Sequence, residues 1–266
     1  MPVTNLPDVG IAPEPIATLW RYMELDRFKS LLERKALFFC RADKFSDPFE
    51  GSIPRKEYQL RSQRSIDIFS SMGSKPAEEF IIRINDMFSS EGMNIRQGSV
   101  INCWHKNSNE SDAMWNLYLK TNEGVAIQTN TARLIQSLQK AAQDVFISDI
   151  RYIDYENAIF CAGDYQPAHS NNFLMPLIHK RNEFIHEREV RLIHLVKEAV
   201  LEPNYWEGQD FYKGVFISVD LNVLVDKIIL PPTSDEKVRQ EVDFLIKQFG
   251  YHFEFEKSAL SKQAYF

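Results

Sequence analysis

The segment His186–Arg191, "HEREVR", interleaves two carboxylates with two guanidinium groups immediately ahead of the apolar run "LIHLV". Read as a strand, it places Glu187, Glu189 and Arg191 on one face and Arg188, Val190 and Leu192 on the other. Charges enter an otherwise apolar strand only with partners. Two chemistries fit. One is an ion-paired strand end. The other is a carboxylate that a rigid strand presents to a developing positive charge. A comparable position occurs near the start of the chain, where Arg21 stands between Trp20 and Tyr22 in "WRYM". An arginine inside an apolar strand calls for an anion, either a protein carboxylate or a phosphate or carboxylate on a ligand, which its planar fork suits. If the two strands are neighbours, Arg21 joins the glutamates in one ladder.

Other residues offer weaker constellations. Cys103 and His105 stand two apart in "INCWH" and would share a strand face as a nucleophile and base. A buried cysteine beside an aromatic-rich strand end explains them equally well. His179 and His186 lie two helical turns apart on an expected helix, but no third ligand accompanies them, so no metal is expected. The chain has no GxGxxG, P-loop, GxSxG or HExxH motif.

The elements that would hold these residues follow from periodicity. Residues 16–23 ("IATLWRYM") read as a first strand, and Leu25, Phe28, Leu31 and Leu32 recur at helical spacing directly after it. "ALFFCRADKF" reads as a second strand and "SDPFEG" as a turn. Residues 53–96 are charged and helical in rhythm, which predicts a helical insertion. "GSVINCWH" and "EGVAIQTN" read as strands on either side of a short helix, "ESDAMWNLYLKT". "TARLIQSLQKAAQD" reads as a helix, "VFISDIRYID" as one strand, and "NNFLMPLIHKRNEFIHE" as a helix leading into the "REVRLIHLV" strand. Two further strands, "GVFISVD" and "VDKIILPP", precede the helix "TSDEKVRQEVDFLIKQFG", with Thr233 and Glu236 at capping-box spacing and Gly250 just past its end. "YHFEFE" reads as a last strand. Strands and helices mix without steady alternation, which predicts an α+β fold with a mixed or split sheet.

Composition narrows the function classes. A length of 266 residues with 44% apolar content fits one α+β domain over 17–266, preceded by an extended, proline-marked arm over 1–16. Thirty-one basic against 37 acidic residues, a net charge of -6, argue against broad nucleic-acid or anionic-membrane binding. The three cysteines, Cys40, Cys103 and Cys161, form no CxxC pair and suit reduced thiols in the cytoplasm. The first twenty residues do not read as a signal peptide, and no run approaches a membrane span.

Taken together, "LWRYM", "LDRFKSLLERKALFFCRADKFSDPFEG", "INCWH", "ESDAMWNLY", "GVAI", "KRNEFIHEREVRL", "KIILPP" and "FEKSAL" resemble a widespread bacterial family known as domain of unknown function 2971, from about Leu19 to Leu260. The aromatic-Arg-Tyr first strand, the helix after it and the late Glu-x-Glu strand are also similar to the ADP-ribosyltransferase superfamily. That resemblance implies NAD as a substrate, with Arg21 and Tyr22 at its binding position, Glu189 as the catalytic carboxylate and Glu187 as the preceding member of Glu-x-Glu. Arg191, on the same face, would assist binding. No Ser-Thr-Ser stands in this chain, so Ser111, Tyr118 and Thr129 are the candidates for the middle position. Tyr22, Trp104, Trp115 and Tyr118 could sandwich flat rings, although most suit a core. The resemblance implies a transferase or NAD glycohydrolase that acts on a small dinucleotide and an unspecified acceptor macromolecule, an activity suited to a toxin, effector or phage-defence protein. The competing expectation is a non-catalytic intracellular module that binds a nucleotide or a protein, with a structural Arg/Glu ladder.

Overall fold

The computed structural model of the chain describes residues 3–5, 10–71, 73, 77–121, 123–160, 174–202 and 204–265. Cys161 and His169 lie outside these residues. The first half runs β1 (Val3–Asn5), β2 (Thr18–Glu24), α1 (Leu25–Arg34), β3 (Ala36–Arg41), α2 (Arg55–Ser71), α3 (Glu78–Gly98), β4 (Ser99–Lys106), α4 (Asp112–Tyr118), β5 (Gly124–Asn130), α5 (Thr131–Ser137) and β6 (Val145–Asp149). It is followed by β7 (Arg151–Ile153), β8 (His179–Arg181), β9 (Glu189–Leu195), α6 (Lys197–Leu201), β10 (Gly214–Ser218), α7 (Leu221–Leu224), β11 (Lys227–Leu230), α8 (Glu236–Gln248) and β12 (Phe255–Lys257). Among the described residues this is an α+β architecture built on one mixed sheet, ordered β1-β6-β9-β4-β2-β5-β11-β12, with β3 joined to β4 and β10.

The centre of the sheet is forked. One edge of β4 pairs with β9 throughout, from Ser99↔Leu195 to His105↔Glu189. The other edge is shared by two strands: β2 takes Lys106 and His105, while β3 takes Ile101 and Val100. Backbone groups between them need other partners. The Asn102 amide donates to the Phe38 carbonyl at 2.9 Å, and Arg21 Nη1 donates to the Cys103 carbonyl at 2.6 Å. Two polar side chains thus close the gap that the diverging strands leave.

Helices cover the sheet through their apolar stripes. Phe28, Leu31 and Leu32 of α1 and Val242, Leu245 and Ile246 of α8 pack with Leu19, Met23, Val100, Trp104, Val190 and Leu192 on one face. Full burial of each large apolar side chain contributes roughly 1.5–3 kcal/mol. Asp26 and Arg34 complement the dipole of α1, and Lys35 ends it in the left-handed region at φ 51°. On the opposite face, one cluster gathers Ile101, Ile193, Met175, Leu177 and Ile178, and a second gathers Trp20, Tyr22, Met114 and Trp115.

Several local expectations change. The expected helix over 171–187 is, from Leu174 onward, a 3-10 turn at Met175–Ile178, the strand β8 and a second 3-10 turn at Asn182–Glu187. Pro176 sits in the first turn, and parallel pairing with β7 draws His179–Arg181 out straight, so tertiary pairing overrides a helical apolar rhythm. His179 and His186 consequently do not share a helix face. "VFISDIRYID" breaks at Ile150 into β6 and β7, which belong to different sheets. α8 is capped by Asp235, whose carboxylate accepts from the Val238 amide, and not by Thr233. The N-terminal arm contributes β1, which adds to β6 at the sheet edge. The described residues between 55 and 98 include α2 and α3, which are held at their body ends by buried Glu57, Ile95 and Gly98.

Candidate functional site

The pleat decides which charges meet. Trp20 lies opposite His105, and His105 opposite Glu189, so these three side chains form a row across β2, β4 and β9 on one face. Arg191 follows Glu189 on that face, opposite Cys103. Arg21, one residue on from Trp20, leaves by the other face with Leu19 and Met23, and its guanidinium lies 5.8 Å from the Trp104 ring centre. The expected ladder between Arg21 and the glutamates therefore does not form. The strands are near neighbours, with only β4 between them, but their registers differ by the one residue that reverses facing. Among the described residues no carboxylate lies within ion-pair distance of Arg21. Burial lowers its pKa, and its guanidinium turns into the fork to reach the Cys103 carbonyl.

The glutamates find other partners. Lys180 Nζ, from β8, donates to Glu187 Oε2 at 2.7 Å and to Glu189 Oε1. Arg191 Nε donates to Glu189 Oε2 at 2.6 Å, while its Nη atoms grip both oxygens of Glu50 and the Leu177 carbonyl. The Glu189 amide donates to the Tyr152 hydroxyl at 2.8 Å. All five ionisable side chains are buried, with Arg191 fully enclosed. Three carboxylates face two cations, so the cluster is neutral when one carboxyl holds a proton.

That carboxyl is Glu187. Burial, the hydrogen bond it shares with Glu189 and the charge of Glu189 raise its pKa from 4.5 to about 7. Burial acts on Glu189 in the same direction, but Arg191, Glu187 and Lys180 together hold it well below the usual range. The pair is thus split into a permanent carboxylate and a group that titrates near neutrality. Between its unfolded and folded pKa values Glu187 binds more protons in the folded chain, so its contribution to stability falls as pH rises through that window. Glu189 acts oppositely, contributing above its unfolded pKa and losing that contribution as pH falls through its folded value. We expect Glu187→Gln to flatten the decline in melting temperature between about pH 5 and 7. A variant profile parallel to the wild type across that interval would refute the assignment.

Around this pair the remaining expected residues divide. Tyr22 is buried, with its ring edge-on to Trp115 at 4.9 Å, and its hydroxyl accepts from the Ser111 amide at 2.8 Å. Ser111 caps α4 through the Met114 amide. Tyr22 and Ser111 together seat α4, and α4 carries Tyr118. Tyr118 is partly exposed, and burial, Cys103, Glu189 and Glu187 raise its phenol pKa while Arg21 opposes them. The phenol therefore feels the charge of Arg21 and of the carboxylate pair together. Thr129 is not part of this group: it is buried on the face of Leu19, where its hydroxyl donates to the Leu224 carbonyl. Burial and Glu189 raise the Cys103 thiol well above its usual range, so it remains a thiol beside His105 and not a thiolate nucleophile. Trp104 is a core residue whose indole donates to Asn102.

Sequence reasoning missed Glu50, Lys180 and Tyr152. Glu50 stands in the turn "SDPFEG", which supplies two anions: Glu50 for Arg191 and Asp47 for Arg181. The adjacent basic pair Lys180–Arg181 was the available signal. No group of three or more His, Cys, Asp and Glu side chains among the described residues could hold a metal. No described helix is long and apolar enough to cross a membrane. Comparison of the chain with family models, curated proteins and solved structures gave no match.

Proposed function

We propose that the chain is an NAD-consuming enzyme of the ADP-ribosyltransferase type, acting as a transferase or NAD glycohydrolase. The observation that carries this reading is the pair of buried carboxylates at the mouth of β9, Glu187 and Glu189, bridged by Lys180 with Arg191 behind Glu189. Cleaving the nicotinamide–ribose bond develops positive charge on the sugar as nicotinamide departs with the bonding electrons. A preorganised anion stabilises that state more than the ground state. Glu189 supplies the fixed charge. Glu187, which titrates near neutrality, accepts the proton lost by the attacking hydroxyl or water. Arg21, with no carboxylate within ion-pair distance among the described residues, is the cation this reading assigns to the pyrophosphate, and Tyr118 feels the charge of both Arg21 and the carboxylate pair. The sequence likeness to the ADP-ribosyltransferase superfamily points the same way, and that to the domain of unknown function 2971 family is consistent with it.

One observation favours a second reading, a non-catalytic module that binds a nucleotide or a protein. Both Glu189 oxygens are already engaged, by Lys180 and Arg191, and Arg21 departs by the other face of the sheet. Nicotinamide release and NAD calorimetry separate the two readings. The enzyme reading expects release by the wild type, and an affinity about tenfold weaker in Arg21→Lys, because a point charge replaces a planar fork. Binding without release supports the module, and neither binding nor release discards NAD altogether.

A further inference from the structure

His105 has no role in the reading above, yet it occupies the middle of the row Trp20–His105–Glu189 and is only 7% exposed. Its Nδ1 lies 2.7 Å from the Glu187 carbonyl oxygen. A carbonyl only accepts, so Nδ1 carries the ring hydrogen and Nε2 is a bare acceptor. Burial, with Arg188 and His186 acting the same way, lowers the pKa of the ring and favours this neutral form. Nε2 is enclosed and has no hydrogen-bond partner among the described residues. A buried acceptor left bare is unfavourable and calls for an explanation. The indole donors on this face are committed elsewhere, Trp20 to the Asn107 carbonyl and Trp115 to Glu110.

We infer that His105 Nε2 is the acceptor for an O–H or N–H donor on the nicotinamide half of the dinucleotide, either a ribose hydroxyl or the carboxamide. The same ring is tied through Nδ1 to the backbone of Glu187, so its aim is coupled to the carboxylate pair. This rests on the reading of NAD as ligand. His105 acts here as a binding and positioning residue.

The test is calorimetry of NAD, ADP-ribose and nicotinamide with wild type, His105→Asn and His105→Gln. The asparagine amide retains a donor for the Glu187 carbonyl but has nothing at Nε2, while glutamine restores an acceptor near that position. NAD should bind about tenfold more weakly to His105→Asn and recover in His105→Gln, the effect of one lost hydrogen bond to a buried acceptor. If the loss also appears with ADP-ribose, the donor is a ribose hydroxyl. If it appears with nicotinamide, the donor is the carboxamide. Equal NAD affinity in wild type and His105→Asn overturns the inference, with only water satisfying Nε2, and leaves the dinucleotide reading standing. No binding of any of the three compounds by the wild type removes both. Should the variants fail to fold, the Nε2 nitrogen resonance of the wild type decides: it should shift when NAD is added, and a stationary resonance in an NAD-bound sample overturns the proposal.

Discussion

Arg191→Met should destabilise the folded chain by about 3–5 kcal/mol, because it leaves Glu50 and Glu189 buried against a side chain that cannot answer their charge. Arg191 has no exposed surface to relax into, and its guanidinium serves four oxygens: both of Glu50, one of Glu189 and the Leu177 carbonyl. Arg191→Lys keeps the charge but cannot make the forked contact with Glu50, so it should lose less. Pairing Arg191→Met with Glu50→Gln should recover part of the loss, since the second change removes one of the stranded charges. Urea denaturation midpoints read all three. A loss below about 1 kcal/mol for Arg191→Met, the range of an exposed pair, would show that the cluster is solvated and not the buried network described above.

Glu189→Gln should slow nicotinamide release by at least about a hundredfold, the scale of removing one preorganised electrostatic contact from a transition state. Arg191 still has Glu50 as a counter-ion in this variant, so the fold should persist and the melting temperature should report whether it does. Glu187→Gln should have a smaller effect on the rate and should remove the rise in rate through about pH 7 that ionisation of Glu187 gives the wild type. If Glu189→Gln releases nicotinamide at the wild-type rate with an unchanged melting temperature, Glu189 is a structural anion and the binding-module reading takes its place.

The parts of this site readable in the sequence are those that depend on local period. The alternation of β9, with Glu189 and Arg191 on one face and Val190 and Leu192 on the other, follows from a repeat of two and appears in the fold. The stripe of Phe28, Leu31 and Leu32 likewise faces the core. What could not be read is pairing. Nothing near Arg21 records that β2 and β3 share one edge of β4, or that the register opposite His105 belongs to Trp20. A one-residue change there would have turned Arg21 toward Glu189. Lys180 was hidden for a related reason: its segment has a helical rhythm that parallel pairing with β7 overrides.

The fork at β4 also orders events in time. Its first edge is served by β2 and β3, which leave the ribosome before it, whereas its second edge waits for β9. The anion on Glu50 waits for Arg191, 141 residues later. At about 5–20 residues per second that delay is on the order of ten seconds. From the emergence of β4 until that of β9, the middle strand of the future sheet presents an open row of amides and carbonyls, a template for pairing with a neighbouring nascent chain. A fragment cut before Glu189 would carry that open edge permanently, and light scattering on residues 1–150 should register its association.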